Sequence, residues 1–417
     1  MLKHKGLIRI FTAGSIDDGK STLIGRLMYD SNSISNDHLD KLKDSNNEDF
    51  IDFSKLTDGL KEEQNNNITI DVAYRYFSSN NYNYILADSP GHFEYMKNMA
   101  CAVSFSDIGI ILIDSQKGFT ELCKKHLYIS SLFGIKTIVF AVNKMDSINY
   151  NEEQFQNIKN EVLEFSKKLN VDNQYFIPTN AITGENIVSG SLNMTWFKGQ
   201  SIMDLIETKY LSDFMVSSKN DLPLRLPIQN VIEYKNAKYY TGQITSGSIH
   251  LGQEISIASS DRKAQGKVQV KSIRLYKTDL PSAFAGQSVT IELSNDNQLN
   301  FERGDQITST SSPPQVSNII EATILWFSTS PLKIKNEILI KHSTRIIPAT
   351  VLNINLIELI KSNSSNTKIV NENEVAKVSL KLDKNLVFDS FYDNKKNGTF
   401  IIIDKDSKNT VGTGIIR

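Results

Sequence analysis

The nonapeptide Gly14-Ser15-Ile16-Asp17-Asp18-Gly19-Lys20-Ser21-Thr22 constrains this chain more than any other stretch. It fits the phosphate-loop pattern G-x-x-x-x-G-K-[ST], and its flanks are the ones that pattern needs. An apolar run, Leu7–Phe11, precedes it, and the helical spacing Leu23, Ile24, Leu27, Met28 follows. A strand, a glycine-rich turn and a helix in that order aim backbone N–H groups and a helix N-terminus at one point, which is an anion site. All residues from Gly14 to Thr22 are candidate nucleotide contacts. Lys20 is expected to reach the β- and γ-phosphates and the Ser21 hydroxyl to take Mg²⁺. Asp17 and Asp18 are not required by this chemistry. As anions they repel phosphate, so their carboxylates are expected to point away from it.

Around this loop the chain divides by character. Residues 7 to about 210 alternate β-rich apolar runs (Tyr82–Ala87, Ile108–Ile113, Thr137–Val142, Tyr175–Ile177) with amphipathic helical stretches such as Glu121–Phe133 and Asn151–Leu169. That alternation predicts a parallel sheet with helices on both faces. Ser31–Asn67 interrupts it with a polar insertion rich in Asn, Asp and Lys. Beyond Pro223 and Pro227 the helical spacing nearly vanishes, and short runs punctuated by glycine (Leu226–Val231, Tyr239–Ile244, Glu254–Ile257, Gln269–Tyr276, Ser288–Leu293) predict a small antiparallel barrel. After Ser311-Ser312-Pro313-Pro314 a second set follows: Ile319–Phe327, Asn336–Ile340, Thr350–Leu356, Glu374–Leu382 and Phe400–Asp404. The expected plan is an α/β domain over residues 1–212 and two antiparallel β-barrel domains over 213–313 and 314–417.

Charge and cysteine usage narrow the surroundings. A net charge of -1 leaves no overall basic field to gather nucleic acid or an anionic membrane, so neither is an expected partner. Cys101 and Cys123 are too few for a disulfide framework and are read as reduced thiols of a cytoplasmic protein. The start of the chain lacks the pattern of a secretory signal, and no apolar stretch is long enough to cross a bilayer.

Three further motifs turn a phosphate site into a nucleotide site. Asp88-Ser89-Pro90-Gly91-His92 closes the run Tyr82–Ala87: a strand-end aspartate can hold Mg²⁺, and the Gly91 N–H can touch a γ-phosphate, so this segment can act as a switch. Asn143-Lys144-Met145-Asp146 follows Thr137–Val142. The Asp146 carboxylate can accept from guanine N1–H and the 2-amino group, donors that adenine lacks. Asn143 would support the base, and the Lys144 stem would cover it. Asn180-Ala181-Ile182 follows Tyr175–Ile177, where a loop backbone can meet guanine O6. Thr69, ahead of the next strand, can add a hydroxyl to the Mg²⁺. The expected ligands are therefore GTP and Mg²⁺, with Ser21, Thr69 and Asp88 around the metal.

These elements stand in the order and spacing of translation-factor-type GTPases, and the wording goes further. Gly14–Leu27, Ile68-Thr69-Ile70-Asp71-Val72-Ala73-Tyr74-Arg75-Tyr76-Phe77, Ala87–His92, Asn98-Met99-Ala100 and Ala141–Asp146 closely resemble the GTPase subunits of bacterial sulfate adenylyltransferase. Tyr240-Thr241-Gly242 and Ala283-Phe284-Ala285-Gly286 extend the likeness into the β region. The Asp17-Asp18 pair separates that family from elongation factor Tu. The resemblance implies a P-loop GTPase domain followed by two barrels, an elongation-factor-Tu-like architecture. It also implies a function: GTP hydrolysis here is coupled to the synthesis of adenosine 5′-phosphosulfate from ATP and sulfate. That synthesis belongs to a catalytic adenylyl-transferring partner subunit, in a heterodimer or higher assembly. By the same resemblance His92 orients the attacking water, and Ile16 with Ile68 forms an apolar gate over it. Two departures stand out: Gln64-Asn65-Asn66-Asn67 replaces an Arg-Glu-x-Gly-like stretch, and Asn180 replaces the usual serine. A translation factor delivering aminoacyl-tRNA, or a GTP-binding scaffold without coupled hydrolysis, are the alternatives.

Overall fold

The structure, a computed structural model, describes residues 6–34, 43–44, 47–51, 53, 71–91, 95–209, 222–235, 237–260, 267–294, 301–357, 364–365 and 368–417. Thr69, Ile68, His92 and Gln64–Asn67 lie outside the described residues. The chain falls into two compact units, Met1–Met215 and Val216–Arg417. Among the described residues no helix is long and apolar enough to cross a membrane.

The first unit is built on a six-stranded sheet. Its strands are β1 (Gly6–Ala13), β2 (Ala73–Ser78), β3 (Tyr82–Asp88), β4 (Ile108–Asp114), β5 (Thr137–Asn143) and β6 (Asn173–Pro178), in the order β2-β3-β1-β4-β5-β6. β4 and β5 are buried along their whole length, as strands covered on both faces must be, which is why they read as continuous apolar runs. The helices are α1 (Lys20–Asp30), α2 (Met96–Phe105), α3 (Glu121–Leu132), α4 (Glu152–Ser166) and α5 (Ile202–Lys209). Leu23, Ile24 and Leu27 of α1 enter a core with Ile8, Ile10, Ile110 and Leu112 of the sheet.

One expectation is corrected. The sheet is not wholly parallel, because β2 pairs antiparallel with β3. The link Ser79–Asn81 is too short for a crossover, so the chain must return as a hairpin. Every other pairing in the sheet is parallel. The register then sets the chemistry: Asp88 lies beside Thr12, and Asn143 beside Asp114, at the carboxyl ends of the strands. β1 lies between β3 and β4, where the strand order reverses, and such a switch point opens a crevice for ligands.

Among the described residues the second unit holds two large antiparallel sheets, with two two-stranded ribbons beside them. In the first, strands run from Arg225–Pro227 to Gln306–Ser309 around a core that includes Leu226, Tyr240, Ile255 and Ile291. Its Arg225–Pro227 strand reaches back to the chain just beyond Ala237–Gln243 through Thr245 N–H to Arg225 O (2.8 Å) and an antiparallel bridge between Arg225 and Ser246. The second sheet, from Gln315–Trp326 to Thr410–Ile416, closes on itself where Glu337–His342 pairs with both Arg345–Ile357 and Thr399–Ile403. Buried polar bonds join the two sheets. The Arg225 guanidinium donates from Nε and Nη2 to the Asp389 carboxylate (2.8 Å each) and from Nη1 to Leu224 O and Ser312 O. Asn397 donates to the same carboxylate.

Candidate functional site

The loop after β1 folds as the phosphate pattern requires. Gly19 takes φ +94°, and a methyl there would sit 2.4 Å from Asn143 Nδ2, so both conformation and space demand glycine. α1 begins at Lys20 with no side-chain cap. Its first N–H groups are thus left to an anion. The Lys20 ammonium donates to Gly14 O (3.1 Å) and Ser15 O (2.7 Å), folded back along the loop. Burial pushes the Lys20 ammonium down, while Asp88 and Asp18 pull the other way. An anionic phosphate would add a further counter-charge at this spot. Ser21 and Thr22 are half-buried, and Ile16 is exposed.

The strand-end motif arrives beside this loop. Asp88, Ser89, Pro90 and Gly91 are all buried. Asp88 accepts from the Thr12 hydroxyl (3.2 Å), and the Ser89 hydroxyl donates to Thr12 O. A methyl on Gly91 would fall 2.5 Å from Lys20 Nζ and 3.1 Å from Gly14 O, so this backbone runs against the phosphate loop itself. Asp88 and Ser21 supply a carboxylate and a hydroxyl, the hard oxygen donors that Mg²⁺ prefers, so these residues fit that ion.

The two motifs expected to meet a base close the other end. Asn143 is buried and works as a strut: Nδ2 donates to Asp18 O (2.8 Å), while Oδ1 accepts from Ala181 N–H (3.0 Å) and the Thr179 hydroxyl (3.4 Å). It thereby joins the phosphate loop to the Asn180-Ala181-Ile182 loop. Lys144 adopts φ +59° and pairs with Asp114 (2.9 Å). Burial disfavours the Asp114 charge, but Lys144 and the Gln116 N–H outweigh it and hold the carboxyl below its usual range. Met145 is buried as the first residue of the short 3₁₀ turn Met145–Ile148, and Asp146 beside it stands exposed. The Asn180 carboxamide turns onto its own loop, accepting from Ile182 N–H (3.0 Å) and Thr183 N–H (3.3 Å). Its side chain thus shapes the loop, whose backbone remains the part suited to a base. Arg26 of α1 anchors that loop by donating to Ile182 O (3.1 Å).

The two loop aspartates part ways. Asp17 is exposed in a left-handed conformation (φ +63°). Asp18 turns inward: Oδ2 accepts from Ser15 N–H (2.6 Å), and Oδ1 lies 3.4 Å from Lys117 Nζ. Lys117 also donates to Ile16 O (2.8 Å). Ser15 Oγ meets Thr120 Oγ1 (3.0 Å), the residue that caps α3 by accepting from Cys123 N–H. Thr12, Asp114, Lys117 and Thr120 carry no motif of their own. Only their places at the ends of β1 and β4 mark them beforehand.

Comparison with known proteins agrees with this geometry. Residues 5–221 match the elongation factor Tu GTP binding domain family, and residues 319–417 match the GTP-eEF1A C-terminal domain-like family. Sulfate adenylyltransferase subunit 1 of Saccharophagus degradans is 37% identical over 99% of this chain and 87% of its own length. The proteins of that name from Aliarcobacter butzleri (36%, covering 100% and 88%) and Bacteroides fragilis (37%, covering 99% and 86%) are alike to the same degree. With an elongation-factor-Tu-type GTP-binding domain and this likeness along nearly its whole length, the chain belongs to the sulfate adenylyltransferase subunit 1 family.

Proposed function

We propose that this chain binds GTP with Mg²⁺ and hydrolyses it as the regulatory subunit of a sulfate adenylyltransferase. In that role it drives a partner's synthesis of adenosine 5′-phosphosulfate and diphosphate from ATP and sulfate. The observation that carries the reading is one assembled crevice: the phosphate loop, the Asp88–Gly91 strand end and the Asn143–Asp146 loop meet at one end of one sheet. The names of the relatives supply the sulfate chemistry and the partner. We also propose the division into domains 1–212, 213–313 and 314–417.

Each residue has a task in this reading. Backbone N–H groups from Asp17 to Thr22 cradle the phosphates, and Lys20 leaves the loop carbonyls for the β- and γ-oxygens. Ser21, Asp88 and Thr69 would hold Mg²⁺, which when bound neutralises charge on those oxygens. Asp146 reads guanine, and the backbone of Asn180–Ile182 meets O6. His92 orients the attacking water, and Ile16 with Ile68 screens it.

Phosphoryl transfer depends on positioning and charge, so turnover is slow until the partner and its substrates complete the site. The test is to co-purify the chain with a candidate adenylyl-transferring subunit and measure phosphate release from GTP with and without ATP and sulfate. A rise that needs both substrates supports coupling, and equal rates overturn it. In the same assay His92→Ala should retain GTP and lose hydrolysis by ~10²–10⁴-fold. Unchanged turnover removes His92 from that role.

A further inference from the structure

We propose that Lys117 is a positioning residue for nucleotide binding: by pairing with buried Asp18 and holding the Ile16 carbonyl, it keeps the outer arm of the phosphate loop in its binding shape. The inference rests on the reading of that loop as the GTP site.

Asp18 is the buried partner of this pair. Its side chain is 2% exposed, and it occupies the inside of a loop built to attract anions. Burial pushes its carboxyl up, against the pull of the Ser15 N–H, Lys20 and Lys117. Among the described residues the ionisable groups that face it are Lys20 from α1, Lys117 from the loop after β4, and Cys123 from α3, whose thiol burial pushes up. The Lys20 ammonium is bonded to Gly14 O and Ser15 O and is the group expected to move to the phosphates. Once it does, Lys117 is the cation left to Asp18 among the described residues. A buried carboxylate stripped of its partner is costly, and here it would also stand against the incoming phosphate charge.

Lys117 is fixed well enough to serve. Asp114 O accepts from both Lys117 N–H (3.1 Å) and Gly118 N–H (2.9 Å), and Gly118 turns the chain at φ +71°. Asp114 is in turn paired with Lys144 of the base-reading loop. The Asp114–Thr120 segment therefore touches the base loop through Asp114 and the phosphate loop through Lys117 and Thr120. One ammonium makes two bonds across the gap, to Ile16 O and Asp18 Oδ1. It is 43% exposed, so solvent screens the pair and the effect sits at the low end for a charge-assisted contact.

The experiment is the release rate of a fluorescent GDP from the full chain, wild type against Lys117→Met, from about pH 8 to about pH 5.5. Lys117→Met should release GDP roughly tenfold faster at the alkaline end. The gap should narrow as pH falls, because the unpaired Asp18 takes up a proton and the buried charge disappears. Lys117→Met/Asp18→Asn should return to within about threefold of wild type and lose the pH dependence, since an amide oxygen still accepts from Ser15 N–H. If the methionine variant does not fold, Lys117→Gln keeps a donor for Ile16 O without the charge and should show the pH-dependent part alone. A Lys117 variant that releases GDP like wild type at every pH, or a defect that Asp18→Asn does not relieve, overturns the proposal. A wild-type chain that binds no guanine nucleotide overturns the underlying reading instead.

Discussion

Asn143→Ala tests whether the two ends of the site are mechanically one. The carboxamide makes two good bonds, to Asp18 O (2.8 Å) and from Ala181 N–H (3.0 Å), and both of those residues are buried. Truncation leaves a buried carbonyl and a buried N–H without these partners, at about 1–3 kcal/mol each. Water can enter the space that the carboxamide vacates, so the low end of the sum, about 2–3 kcal/mol, is expected. Where the free loops relax, that cost moves from folding to binding, because nucleotide must restore both loops. The quantity to measure is therefore the sum. Calorimetric unfolding of the free chain gives one part and GDP affinity by titration the other, with a weakening of roughly 30–160-fold if all of it falls on binding. Asn143→Asp keeps an acceptor for Ala181 N–H but sets a carboxylate against Asp18 O, and should lose at least as much. An alanine variant within about 0.5 kcal/mol of wild type in both measurements would refute the strut.

Three other outcomes are expected. Asp146→Asn should turn preference from guanosine to xanthosine nucleotides, read by competition binding; retained GTP preference counts against the base-reading role. His126 of α3 is fully buried, its two ring nitrogens have no hydrogen-bond partner among the described residues, and burial pushes its pKa down to about 3. A folded pKa below the unfolded value of 6.5 means stability that is complete above pH 6.5 and lost as pH falls toward 3. The melting temperature of His126→Leu should accordingly fall less steeply with acid than that of wild type, and parallel curves would refute this. Arg225→Met should cost the second unit about 3–5 kcal/mol by leaving the Asp389 carboxylate buried without its cation, and Arg225→Met/Asp389→Leu should recover most of it. Urea unfolding read from Trp326 in a Trp196→Phe background decides, and equal midpoints for the single and double variants would sink the claim.

What the sequence reveals about the fold follows from how much of each element is local. β4 and β5 are legible because full burial makes them continuous apolar runs, and α1 because its buried face repeats at helical spacing. The strand Thr410–Ile416 escapes the pattern, because Gly412 and Gly414 read as breakers. They are small for a tertiary reason: a methyl at Gly414 would strike the Phe400 ring at 2.4 Å. Gln306–Ser309 escapes too, since the polar Gln306 and Thr308 are buried against long-range partners, Gln306 donating to Asn397 Oδ1 and Val387 O. The antiparallel place of β2 depends on a short turn rather than on its own composition.

The site divides along the same line. Groups proposed to touch the ligand are legible, because the chemistry restricts which residues can serve and local turns hold them at fixed spacing: Gly19-Lys20-Ser21, Asp88 and Asp146, with Asn143 marked by its place in the same motif as Asp146. Groups that hold those groups are not. Thr12, Lys117 and Thr120 could be many residues as far as local pattern goes, and the register of β1 against β3 and β4 is what brings them in. Asp18 lies between the two classes. Its position in the loop is visible at once, but its partners are the Ser15 N–H and a cation 99 residues away in the chain, which no local pattern announces. Phosphate chemistry alone says that this carboxylate must turn from the ligand. Burial adds that, once turned, it needs a counter-charge, and the fold meets that need from the loop that also carries Asp114. An aspartate that looks gratuitous in the motif is thus the point where the phosphate end and the base end of the crevice share one electrostatic constraint.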